Sequence, residues 1–102
     1  MSDVDIAQSR LYEKGLTLVL VKNSEVVFET DSHRISGFLG AIDHLGAGLE
    51  GASVADKVAG KAVALLCVYA GISKVYAGVL SRKAKAVFDE HGVPCEWKDH
   101  RT

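Results

Sequence analysis

Little in this sequence is in excess, and each shortage removes a class of function. Basic and acidic residues nearly balance, 12 against 13, for a net charge of -1. A chain so balanced has no general pull toward nucleic acid or an anionic membrane, so neither is expected as a partner. No apolar run approaches the roughly 20 residues that span a bilayer. The opening MSDVDIAQSR is acidic and polar, unlike a secretory leader. Cysteine is scarce: Cys67 and Cys95 have neither metal-type nor redox-type spacing. Cys67 lies in ALLCVYA, where a buried, inert thiol is expected. These absences point to a reduced, cytoplasmic protein. There is no linker, repeat or low-complexity stretch, and 102 residues suffice for one domain over 1–102 with one core.

What is present is a run of short, regular elements. Val4, Ile6, Ala7, Leu11 and Tyr12 have helical spacing, and Gly15 can end that helix. LTLVLVK reads as a strand covered on both faces, Asn23-Ser24 as a hairpin turn, and EVVFET as the returning strand. Ser32 can open the helix RISGFLGAIDHL. A long helix is expected from Ser53 to about Ala70, with Ser53 and Asp56 at capping-box spacing. Its second half, AVALLCVYAG, is apolar all round, which predicts burial. KVYAGVL is a third strand. SRKAKAVFDEHG is an amphipathic helix with Ala84, Val87 and Phe88 inward, and VPCEW is a short strand that Pro94 favours at a sheet edge. The order α-β-β-α-α-β-α-β gives an α/β fold: a mixed β-sheet with helices on both faces.

The stretch GAGLEG, with Gly46, Gly48 and Gly51, is a literal G-x-G-x-x-G. The dinucleotide fingerprint needs a strand before it and an acid about 20 residues later. Here a helix precedes it and CVYAGIS follows at that distance, so we read the glycines as a turn between helices. No Gly-Lys-Ser/Thr follows either, which excludes a Walker loop.

Geometry offers a better site. The expected helix is about 27 Å long and the strand after it about 23 Å. The turn GIS makes them antiparallel, so the helix start lies near the strand end, where the next helix starts at Ser81. Two helix N-termini then converge into an anion site. Its lining would be Ser53, Asp56, Lys57, Lys61, Ser81 and Arg82. Each also has a plain structural reading. Asp56 can serve as a general base or as a helix cap. Lys57 and Lys61, four apart, can hold an anion or simply be solvated. Gly60, costly in mid-helix, suggests close packing. Arg82 and Lys83 stand where positive charge opposes the helix dipole, and Ser81 caps in either case. His91, Cys95 and His100 match no metal signature. His33 and His44 stand alone as ordinary imidazoles.

The block GASVADKVAGKAVALLCVYAGISKVYAGVLS, with LTLVLVKNSEVVFET before it, resembles the family numbered 1893 among domains of unknown function. The likeness runs from about Leu16 to Gly92, and SVADKVAGKA is its most specific part. The resemblance implies a cytidine deaminase-like, three-layer fold of αββααβαβ order. Members of that family often continue into a segment bearing Cys-Pro, which does not follow Thr102 here. Zinc deaminases carry H-x-E at one helix start and P-C-x-x-C at the next. The matching places are expected at SVADKV and LSRKAK, which hold neither His nor Cys. Neither a metal nor any other cofactor is therefore expected. Three functions remain: binding of a small anionic metabolite, a nucleotide or phosphate; a metal-independent enzyme using Asp56 and Lys57 as an acid–base pair; or a structural module with a vestigial pocket that works as a homo-oligomer.

Overall fold

The computed structural model describes residues 1–32 and 35–101. Helix α1 (Asp3–Glu13) opens on a capping box. The Ser2 hydroxyl accepts from the Asp5 N–H, and the Asp5 carboxylate accepts from the Ser2 N–H. Strands β1 (Leu18–Lys22) and β2 (Glu25–Thr30) form the expected hairpin. Its turn residues Asn23 and Ser24 have φ of +53° and +67°, the left-handed pair that suits strand twist. Asp3 holds that turn by accepting both of their N–H groups. Helix α2 runs Ser36–Leu45, later than Ser32, and a short 3-10 turn, Gly46–Leu49, follows.

The next segment departs from expectation. Ser53–Ala59 is strand β3, and only Lys61–Ala70 is helix, α3. The Ala- and Lys-rich local sequence favours helix, but tertiary context wins. β3 lies between β1 and a further strand, β4 (Lys74–Ser81), and its first four residues are buried. Ala55 and Ala59 are small enough for helices to pack closely over it. Ser53 and Asp56 therefore form no capping box, and Gly60 is the residue before α3 rather than its middle. The glycine run leads into a strand, not a helix. The chain closes with α4 (Arg82–Glu90) and β5 (Cys95–Arg101), the latter two-sided in exposure and longer than VPCEW suggested.

The sheet order is β2-β1-β3-β4-β5. β1 is antiparallel to β2 and β3, while β3, β4 and β5 are parallel. On one face α1 buries Val4, Ala7 and Leu11 against Val19, Val21, Ala55 and Tyr76. On the other, α2, α3 and α4 cover Leu18, Leu20, Val54, Val75 and Ala77. This is the three-layer α/β architecture with a mixed sheet. Ala84, Val87 and Phe88 face inward as expected, and Cys67 is fully buried. The apolar second half of α3 is not wholly buried: Leu65 is 47% and Tyr69 78% exposed. Among the described residues no helix is long and apolar enough to cross a membrane.

Candidate functional site

Parallel strands β3 and β4 are linked through α3, and β4 and β5 through α4, so both helices start at the carboxyl edge of the sheet. Ligands favour that edge in open α/β sheets. A cavity of about 150 Å³ lies there. Asp56, Lys57 and Val58 at the end of β3 form its floor. Thr17 and Leu18 at the β1 start, with Thr30 at the end of β2 and Ser32 after it, form one wall. Ile35 and Phe38 of the α2 start, with Val63 from the first turn of α3, form the other. The Thr17 hydroxyl donates to the Ser32 carbonyl at 2.6 Å, fastening that wall to the sheet.

Asp56 is the chemical centre of this cavity. It is only 9% exposed, and its carboxylate accepts from the Val58 N–H at 3.1 Å. Burial pushes its pKa up to about 7, against the pull of hydrogen bonds from the Val58 and Lys57 backbone. The floor is set by a close backbone approach: a Cβ on Gly78 of β4 would lie 2.6 Å from the Lys57 carbonyl oxygen. Only glycine lets the two strands sit this way.

The helix starts differ. The Ser81 hydroxyl accepts from the Ala84 N–H at 3.0 Å and caps α4. α2 begins after Ile35 and α3 after Gly60, and neither of these two residues caps its helix with a side chain. Their first turns both line the cavity. Free helix N–H groups carry partial positive charge and favour anions. The convergence expected from sequence is therefore rebuilt: α2 and α3 meet at the cavity, and α4 starts one strand further along.

The expected lining is divided accordingly. Asp56 and Lys57 line the cavity, and Lys61 stands exposed in the first turn of α3. Lys57 and Lys61 are not helical neighbours, because Lys57 belongs to β3. Successive strand residues project to opposite sides, and among the described residues Lys57 and Asp56 make no ion pair. Ser53 pairs with Lys74 while Ala59 pairs with Leu80, so Ser53 and Ser81 sit at opposite ends of the sheet, about 23 Å apart along the strands. Ser53 is thus removed from any site that holds Ser81 and Arg82. Thr17, Thr30, Phe38 and Val63 were not anticipated. They come from strand ends and first helical turns with no motif to mark them; the one usable signal was Gly60, read as a helix boundary.

The described histidines and cysteines do not assemble. His91 Nδ1 lies 3.0 Å from the Val87 carbonyl oxygen at the end of α4. Cys95 and His100 are five residues apart on β5, about 16 Å. His44 stands in the last turn of α2, and His33 lies outside the described residues. Among the described residues no three His, Cys, Asp or Glu side chains come together. The starts of α3 and α4 read Lys61-Ala62-Val63 and Arg82-Lys83-Ala84. SVADKV is strand rather than a helix start, whereas the expected start at LSRKAK does open α4. Neither helix start fits a zinc deaminase set.

Comparison with known proteins agrees with this architecture. The model of the family described as "Domain of unknown function (DUF1893)" matches residues 6–100, and the chain belongs to that family. A DUF1893 family protein from Thermotoga maritima, TM1506, superposes with a TM-score of 0.88 at 22% identity. The match covers 97% of this chain and 66% of that one, so the present chain spans about two-thirds of its relative. The dCMP deaminase of cyanophage S-TIM5, in complex with dCMP and dUMP, gives a TM-score of 0.66 at 13% identity, covering 93% of each chain. Acinetobacter baumannii RibD gives 0.66 at 17% identity, over 93% of this chain and 32% of that protein. These likenesses show a cytidine deaminase-like fold. Among curated proteins nothing matches.

Proposed function

We propose that this DUF1893 member is a cytoplasmic binding protein for a small anionic metabolite of nucleotide type, held at the cavity over Asp56. The observation that carries the reading is the meeting of one buried carboxyl group with the starts of α2 and α3 at a single cavity. A cavity near 150 Å³ is the size that takes one six-membered ring in a protein core. Leu18, Phe38 and Val63 offer such a ring apolar contact, and Asp56 accepts from a ring N–H. The anionic end lies against the α3 start and Lys61. The superposed deaminase was solved with nucleotides, which fits a ligand of that shape here. Fold alone does not carry deamination across, and the first turns of α3 and α4 hold neither His nor Cys.

Thermal shift with nucleoside monophosphates, the matching nucleosides, and inorganic phosphate at constant ionic strength tests this. A monophosphate should raise Tm more than either fragment, because it binds the folded state alone. Lys61→Ala should remove the phosphate-dependent part. Equal responses to all three ligands, or none, would overturn the reading.

A second reading has one observation in its favour. A carboxyl group that titrates near neutrality is suited to general acid–base work. Asp56 would act without Lys57, which does not pair with it. Turnover of a bound ligand, lost in Asp56→Asn while binding persists, distinguishes this enzyme from a binder.

A further inference from the structure

A helix that is apolar on every side is normally buried on every side. After Lys61, α3 carries no charge, yet Leu65 and Tyr69, four residues apart on one stripe, remain 47% and 78% exposed. Beside them on α2, Leu39 is 48% exposed. Leu39, Gly40 and Ile42 form a hollow with Leu66 and Tyr69. Gly40 stands in mid-helix, where glycine costs about 1 kcal/mol relative to alanine. Nothing in this chain lies within 4 Å of the place its Cβ would take, so internal packing does not demand a glycine there. A glycine on the outer side of a helix does admit the close approach of another surface.

The charges on this face identify the visitor. α2 and α3 both start at the Asp56 cavity and both end near Asp43, Glu50 and Tyr69, so they run side by side in the same direction. Lys61 lies at their positive end. Asp43, in the last turn of α2, and Glu50 lie at their negative end. Lys61 and Asp43 are each of the wrong sign for their own helix dipole. A second copy related by a two-fold axis that lies in the plane of the contact and across the helices brings Asp43 and Glu50 to the partner's Lys61 end and opposes the two sets of dipoles. The face also holds a projecting Tyr69 and a hollow together, as an isologous contact requires.

We infer that the outer face of α2 and α3 is a self-association surface that receives a second copy of this chain, with the two helix pairs antiparallel. This inference does not depend on the ligand. Two ten-residue helices side by side present a face of about 15 × 20 Å. That is below the ~800 Å² per partner of a standard interface. The dimer is therefore weak and forms with rising concentration.

Sedimentation velocity from about 10 μM to about 1 mM should show reversible dimer formation in the intact chain, with the upper limit set by the affinity expected of so small a face. Tyr69→Glu should raise the dissociation constant at least about tenfold, and its unchanged thermal melt should show that the protomer still folds. Lys61→Glu should weaken the dimer, and adding Asp43→Lys should restore it by re-forming the pair with reversed signs. A chain that stays monomeric throughout, or a dimer indifferent to Tyr69→Glu, overturns the surface. Failure of the charge swap to restore association overturns the antiparallel arrangement.

Discussion

Two neighbouring strand–helix units of this sheet share a direction and differ in how the helix begins. β4 enters α4 through Ser81, whose hydroxyl closes the helix start. β3 enters α3 through Gly60, which has no side chain to close it. Beside the first stand the exposed cations Arg82 and Lys83. Beside the second lies a cavity with a buried carboxyl group. A helix start that caps itself has already satisfied one of its donors and gains less from a ligand. One that does not leaves them for water or an anion. The difference directs attention to β3–α3 and away from Ser81 and Arg82, though all these residues share one edge of the sheet.

The largest test of that contrast falls on Asp56. Burial holds its pKa at about 7 in the folded chain, above the ordinary 3.8 that it regains on unfolding. Between these values the folded state keeps a proton that the unfolded state has released. Its contribution to stability is therefore full at low pH and is lost as pH rises from about 4 to 7, then levels off. The full loss is roughly 4 kcal/mol at 1.36 kcal/mol per pKa unit. Asp56→Asn keeps the acceptor for the Val58 N–H and carries no charge. Urea unfolding of parent and variant at pH 5 and pH 8 should show the variant gaining several kcal/mol at the higher pH. Parallel stability curves would mean that Asp56 is hydrated, and the cavity would lose its distinguishing feature.

Much of this fold is legible in the sequence, and its failure is local. Alternation, the Asn23-Ser24 turn, the Ser81 cap and the inward stripe of Ala84, Val87 and Phe88 all act over a few residues, and the structure has each of them. SVADKVAGKAVALL defeats that logic. A strand buried on both faces loses its alternation, and alanines chosen for close helix packing look like helix formers. Once Ser53–Ala59 is taken as helix, Ser53 moves from one end of the sheet to the other. Lys57 and Lys61 then become false neighbours. Asp56 was singled out as a general base or a helix cap, and of these only the cap is ruled out, because Asp56 lies within β3. Thr17 and Thr30 were invisible because only tertiary pairing brings the ends of β1 and β2 to the same cavity.

Ser81→Ala tests the other side of the comparison. Losing a serine cap costs about 1 kcal/mol in stability. The loss should appear in urea unfolding and leave nucleotide-dependent stabilisation untouched. Arg82→Ala should be as silent toward the ligand. If either variant weakens the ligand response as much as Lys61→Ala does, the binding edge extends to α4, and the two units are not functionally distinct.

The smallest effect on stability comes from making the two units alike. Gly60 has φ of -99°, an ordinary value, and nothing lies within 4 Å of the place its Cβ would take. A serine there fits without strain and can accept from the first free N–H groups of α3, as Ser81 does for α4. Replacing a glycine cap by serine is worth only a few tenths of a kcal/mol. Gly60→Ser should therefore raise Tm slightly in the absence of ligand. It should also compete with an anion for the same donors, so the gain in Tm on adding a nucleoside monophosphate should shrink while the response to the nucleoside is kept. A variant that is slightly more stable alone and less responsive to the phosphate would tie the ligand to the open start of α3. Unchanged phosphate response in a demonstrably capped helix would place the anion elsewhere, and the missing cap at Gly60 would have no bearing on function.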